Sequence, residues 1–269
     1  MDFSASFLNQ ARYSQHLRLR GVIHLLSPQS SVLSPLLRTW AKLVTLHRDV
    51  EATHWGALLL GNVWPAYLFA LPLGARIWNL SHARFGDTLH DQALLLQEIV
   101  TIVFLALVVV LFAVRRRGIA GQRATVRSGA VALLGTFLLN VVGYLPLEET
   151  TATDALLASI VVVVLGTLFT IWSLATLGRN FGLFPEVRGL VVRGPYRLVR
   201  HPVYLGEMIA ALGLLIARPH ALTVAVFAVF VLLQYWRTIF EERALGAAYP
   251  DEYAAYRRQV PRLVPGLRV

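Results

Sequence analysis

Residues 203–240 read VYLGEMIAALGLLIA, then RPH, then ALTVAVFAVFVLLQYWRTIF. Two apolar runs flank the turn Arg218-Pro219-His220, which predicts a tight helical hairpin. The first run, Val203 to Ala217, is short. At 1.5 Å per residue it reaches ~22 Å, less than the ~30 Å hydrocarbon core of a bilayer. The second run goes from Ala221 to Phe240. Polar groups bracket the pair: Arg200 and His201 ahead, Arg237, Glu241 and Glu242 behind. A chain that descends from 202, turns at 218–220 and ascends to 242 returns to the membrane face it left. His201 and Tyr204 are therefore expected beside Arg237, Glu241 and Glu242. Gly206, Ala210 and Gly213 fall at i, i+4 and i+7, a small-residue stripe that lets a neighbouring helix approach closely.

Outward from the hairpin, further apolar runs cover about Trp55 to Trp78, Ala93 to Val114, Ala130 to Leu147 and Ala155 to Leu177. Pro65 and Pro72 predict kinks in the first. Over 269 residues, 56% are hydrophobic and 15% charged, with a mean hydropathy of +0.59. A soluble domain carries about 25% charged residues. The expected fold is an all-α integral membrane protein of about six transmembrane helices, the last two forming the hairpin.

Net charge is +10, and Lys42 is the sole lysine. The arginines lie in alternate segments: the N-terminal stretch, 115–127, 178–201 and the C-terminal tail. The loop between, Glu148 to Asp154, is acidic. The positive-inside rule then puts both termini in the cytoplasm. The base is placed for membrane topology rather than for nucleic acid. Arg in place of Lys points to a GC-rich genome, hence to a bacterial inner (plasma) membrane. With no cysteine, the chain has no disulfide, no thiol nucleophile and no Cys-ligated metal.

Three regions follow. Residues 1–54 form a cytoplasmic or interfacial segment. After Ser34-Pro35, residues Leu36, Leu37, Trp40, Leu43, Val44 and His47 fall near helical spacing. This helix lies in the membrane interface or packs on the cytoplasmic loops, and both readings stay open. The segment also leaves docking, a lid over the site and a dimer contact open, and the oligomeric state is not readable. Residues 55–177 hold four transmembrane helices. Residues 178–269 hold a structured loop, the hairpin and a tail.

The loop 178–201 is rich in turn signals, with Gly178, Gly182, Gly189 and Gly194-Pro195. Pro202 starts the fifth helix with His201 at its N-cap region. A helix N-terminus offers free N–H groups and a positive dipole end, suited to a carboxylate or phosphate. Arg237 ends an apolar run, where an arginine faces a polar interior, snorkels to the interface or pairs with Glu241 four residues on. Adjacent residues on a helix point about 100° apart, so only one of Glu241 and Glu242 can look straight into a site. The histidines show no metal-ligand spacing.

Leu177-Gly178-Arg179-Asn180-Phe181, Gly194-Pro195-Tyr196, Arg200-His201-Pro202-Val203-Tyr204, Arg237, Glu241-Glu242 and Val260-Pro261-Arg262 occur in that order. In these motifs the chain resembles the isoprenylcysteine carboxyl methyltransferase family of membrane enzymes and, distantly, the phospholipid N-methyltransferases. The resemblance covers roughly residues 165–265. It implies S-adenosylmethionine as methyl donor, S-adenosylhomocysteine as product, and a cofactor site without a Rossmann fold. It assigns cofactor contacts to Gly194, Tyr196, His201, Pro202, Tyr204, Glu241 and Glu242, and the acceptor-holding role to Arg237 as the catalytic residue. One Glu would bond the ribose hydroxyls or the amino group, and Tyr196 or Tyr204 would pack on the adenine or sulfonium. The implied reaction is methylation of a small or lipidic acceptor in the bilayer, most like carboxyl O-methylation of an isoprenylcysteine-type substrate, at the cytoplasmic face. A lipid amine, a small thiol, or a non-enzymatic membrane scaffold or transporter stay open at this point.

Overall fold

Each long apolar run forms a helix in the computed structural model, which describes residues 56, 58–116, 118, 126–144, 152–184 and 186–266. The chain divides into two units, Met1–Gly61 and Asn62–Val269. Residues 56 and 58–61 are the described part of the first, so the helix expected between Pro35 and His47 lies outside the described residues. In the second unit the described residues form seven α-helices and no strand. These are α1 (Trp64–His82), α2 (Leu89–Val114), α3 (Val126–Tyr144), α4 (Thr153–Leu177), α5 (Pro202–Ala217), α6 (Ala221–Ala248) and α7 (Pro250–Gln259).

Local chemistry sets the ends. Thr88 caps α2, its hydroxyl accepting from the Asp91 amide at 3.1 Å and donating to the Asp91 carboxylate at 2.6 Å. α4 stops at Gly178, whose φ of +56° is left-handed and favours glycine. Pro202 occupies the first turn of α5, and His220 caps α6 by accepting from the Leu222 amide at 3.2 Å. The π-helical turn Leu59–Val63 leads directly into α1 at Trp64. Pro65 stands in the first turn of α1 and Pro72 in its interior. α6 continues to Ala248, past the end of its apolar run, which carries Glu241 and Glu242 on regular helix.

Among the described residues, three helical stretches are long and apolar enough to cross a membrane: Leu89–Val114, Thr153–Asn180 and Ala221–Ala248. α5 has 16 residues and stays short, as its sequence indicates. Trp64, Leu134, Leu165, Leu232 and Trp236 are all more than half exposed, an apolar surface that suits lipid and not water.

The stripe on α5 meets α4. A Cβ on Gly206 would lie 2.3 Å from Thr170 Oγ1 and 2.9 Å from Gly166 O. One on Gly213 would lie 2.7 Å from Ser159 O, and one on Gly166 2.4 Å from the Ala210 amide nitrogen. The two backbones touch because Gly166, Gly206 and Gly213 carry no side chain at the crossing. α2 packs on α1 and α4, while α6 packs chiefly on α3. The arms of the hairpin thus lean on different neighbours and meet over a short stretch, which leaves space between them. Near one end of that space Phe69 stacks on Phe112 and Phe181 meets Phe112 edge to face, with ring centroids 5.7 and 5.0 Å apart.

Candidate active site

The tail clamps the start of α5. Arg200 and His201 donate their amides to Pro261 O at 2.8 Å and Arg262 O at 3.1 Å. Tyr256 Oη donates to Tyr196 O at 2.6 Å, tying α7 to the Gly194–Arg197 turn. Gly194 turns with φ +59°, and a Cβ there would meet the Thr176 side chain at 3.1 Å. Burial raises the Tyr196 phenol well above its ordinary range, and the Glu241 charge adds to this.

The hairpin closes as its sequence predicts: residues 201 and 204 stand against 237, 241 and 242. His201 Nε2 lies 3.2 Å from Glu242 Oε1, and its Nδ1 3.5 Å from Glu241 Oε2. Burial alone would lower the imidazole pKa. Hydrogen bonds and charge from the two carboxylates outweigh it, so His201 titrates above its usual value. Its ring stacks on Tyr204 at 5.8 Å, and Tyr204 Oη donates to Glu241. The Arg237 guanidinium lies over the Tyr204 ring, 4.6 Å from its centroid.

Glu241 and Glu242 divide as the helix geometry requires. Glu242 is buried and held by Arg262 through two bonds of 2.9 and 2.8 Å, with Arg200 Nη2 at 3.3 Å. Glu241 lines a cavity of about 930 Å³ together with Tyr196, His201, Tyr204 and Arg237. Gly194, Pro202 and Glu242 are not in its wall; they shape the residues that are. The rest of the wall is largely apolar, including Phe104, Val108, Phe137, Leu214 and Phe230.

Sequence reasoning missed three residues here. Glu207, one turn beyond Tyr204, lines the cavity and accepts from Gln234 Nε2. The Gln234 carbonyl in turn accepts from Arg237 Nη1 at 3.0 Å. An acid inside an apolar run is itself a signal, since buried intramembrane charges are costly and are kept for function. Gly135 on α3 faces the same two side chains, and a glycine in an apolar helix gives no such signal. Of the readings left open for Arg237, the structure shows a polar interior, where it meets Gln234 and the Tyr204 ring, and no ion pair with Glu241 among the described residues. Arg237 is buried, and its Nε has no hydrogen-bond partner among the described residues.

Residues 155–252 match the family model described as phospholipid methyltransferase. Over 100 residues the chain is 39% identical to the cobalt-zinc-cadmium resistance protein CzcN of Cupriavidus metallidurans, covering 35% of this chain and 46% of that protein. It is 30% identical over 112 residues to protein-S-isoprenylcysteine O-methyltransferase A of Arabidopsis thaliana, covering 39% of this chain and 57% of that one. The B form from the same plant is 29% identical over 109 residues, covering 38% and 55%. The chain thus spans about half the length of the curated relatives it matches. A solved structure of the eukaryotic intramembrane Ras methyltransferase ICMT aligns over 99% of this chain and 95% of that one. Its TM-score is 0.40 at 16% identity, below the level that fixes a shared fold. The family resemblance read from residues 165–265 is borne out by the curated relatives and the family match.

Proposed function

We propose that the chain is an S-adenosylmethionine-dependent membrane methyltransferase whose acceptor is lipophilic and anionic, most like carboxyl O-methylation of an isoprenylcysteine-type substrate. The observation that carries this reading is one cavity with two ends. His201, Tyr204, Glu241 and Arg237 crowd one end, and the rest of the wall is largely apolar, with Arg76, Gln97 and threonines among it. Its ~930 Å³ is at the upper end for small-molecule sites, enough for a cofactor and the apolar part of an acceptor.

The residues present fit the cofactor. Glu241 is a hydrogen-bond acceptor for ribose hydroxyls or an ammonium, and the start of α5 offers N–H groups to a carboxylate. Tyr196 and Tyr204 present aromatic surface. When bound, the cofactor supplies a methyl group on a cationic sulfur. The protein's part is placement and charge. Around the polar end, Arg200, His201 and Arg237 stand among Glu207, Glu241 and Glu242, and Arg262 holds Glu242 from behind. Arg237 in the cavity wall offers a guanidinium to an anionic acceptor, whereas a protonated amine would be repelled by it and by the cationic donor. A carboxylate is already a nucleophile, so no strong base is needed. Arg237 in the cavity wall orients it, which would place its oxygen for attack on the donor's methyl group.

The six helices α1 to α6 serve as spans, with both termini and the site at the cytoplasmic face, a reading supported by the arginine distribution. The test is calorimetric titration of the detergent-purified protein with S-adenosylhomocysteine. Saturable binding that is lost in Glu241→Gln is expected. A folded protein that shows no binding overturns the reading and leaves a scaffold or transporter.

A further inference from the structure

We infer that Gly135 on α3 is a specificity-determining position for the acceptor end of the site, because its missing side chain is the space in which Arg237 and Gln234 lie. The inference rests on the methyltransferase reading for its chemistry but not for its geometry. A Cβ on Gly135 would stand 3.1 Å from Arg237 Cδ, 3.1 Å from Gln234 Oε1 and 3.6 Å from Arg237 Nη1. Such distances are tighter than ordinary carbon contacts, so both side chains would have to give.

They have little freedom to do so. Gln234 is fully buried and bonded at both ends, its amide donating to Glu207 and its carbonyl accepting from Arg237. The donation to Glu207 fixes which face of the amide Arg237 meets. The guanidinium is confined on another side by the Tyr204 ring. A side chain at 135 displaces the Arg237 stem and so moves its guanidinium from the place it holds between Gln234 and the Tyr204 ring. Glu207, Gln234 and Gly135 thus act through Arg237 as positioning residues.

α3 lies outside the residues that match the family, 155–252, yet it walls this end of the cavity through Gly135, Thr136, Phe137 and Leu139. The cofactor end is built by the matched region, from Tyr196 to Glu241. The acceptor end is completed by a helix beyond it, and that helix is where acceptor choice can vary while the cofactor site stays constant.

Two measurements on the full chain in detergent test this. The first uses N-acetyl-S-farnesylcysteine, a carboxylate with a prenyl tail, and labelled S-adenosylmethionine. Gly135→Ala is expected to lower kcat/KM about tenfold and Gly135→Val about a hundredfold, chiefly through kcat, as for a misplaced reacting group. Affinity for S-adenosylhomocysteine should stay within twofold. Leu134→Ala, at an exposed neighbour on α3, should match the wild type. Wild-type kcat/KM in Gly135→Val would overturn the inference, as would a parallel loss of cofactor affinity.

The second is a double-substitution cycle on melting temperature. Gly135→Ala is made in the wild type and in Gln234→Ala, so that the intrinsic helix gain of alanine over glycine cancels. The shift is expected to be less favourable in the wild type, where the amide must be displaced. Equal shifts in the two backgrounds overturn the inference whether or not the chain methylates anything. Failure to bind S-adenosylhomocysteine overturns the methyltransferase reading instead, and the cycle still decides the role of Gly135.

Discussion

Glu241 and Glu242 are neighbours in the chain and belong to different structures: Glu241 bonds Tyr204 in the cavity wall, while Glu242 is gripped by Arg262 behind it. Their substitutions should separate accordingly. Glu242→Ala strands buried Arg200 and takes one of its two carboxylates from His201, and breaking a buried pair costs about 3 kcal/mol or more. It should lower the melting temperature markedly. Glu241→Gln keeps a hydrogen-bond acceptor and should melt near wild type, while S-adenosylhomocysteine affinity falls at least tenfold. Equal effects of the two substitutions on both readouts would remove the division.

Arg237 is expected to matter for transfer and not for cofactor binding. Arg237→Ala removes the orienting group and should lower turnover of a carboxylate acceptor by about a hundredfold or more. Arg237→Lys should rescue little, because an ammonium cannot reproduce the planar fork stacked on Tyr204. Affinity for S-adenosylhomocysteine should change less than threefold in both. Near-normal turnover in Arg237→Ala would end the assignment.

The hairpin was legible because it combines two strong signals, an apolar run that lipid demands and a turn that breaks it at Arg218-Pro219-His220. The meeting of His201 with Glu242 followed from that topology alone. The α4–α5 crossing was half legible: Gly206, Ala210 and Gly213 announce a close neighbour, but no residue says that it is α4. The roles of Glu241 and Glu242 were not legible, since their division depends on where the tail brings Arg262. Gly135 was invisible, since its meaning is the volume it leaves to Arg237 from another helix. Pairwise tertiary contacts between distant apolar helices leave no periodic trace in one sequence.

Close backbone approach makes α4 and α5 intolerant of volume. Gly206→Val puts methyl groups where Thr170 Oγ1 and Gly166 O already lie, so the helices must separate. Overpacking of this kind costs about 1–3 kcal/mol, occasionally more. Because α5 also places His201 and Tyr204, cofactor affinity should fall together with the melting temperature. Gly74→Ala on α1, where a Cβ meets nothing within 4 Å, is the control and should not destabilise. A Gly206→Val protein that melts and binds like the wild type would show that the crossing is looser than its geometry.

His201 makes stability depend on pH, with a sign fixed by its surroundings. Burial, the largest single influence, lowers its pKa, but the hydrogen bonds and charges of Glu241 and Glu242 together raise it above the unfolded value of about 6.5. The folded state therefore binds the proton more tightly than the unfolded state. The resulting stabilisation is fully present below about pH 6.5 and is lost as pH rises through the folded pKa. The measurement is the melting temperature of the wild type minus that of His201→Gln, taken in detergent from pH 5.5 to 9. The difference should be largest in the acidic range and shrink on the alkaline side. A difference that is flat, or that grows with pH, would mean that Glu241 and Glu242 do not raise the His201 pKa in the folded state.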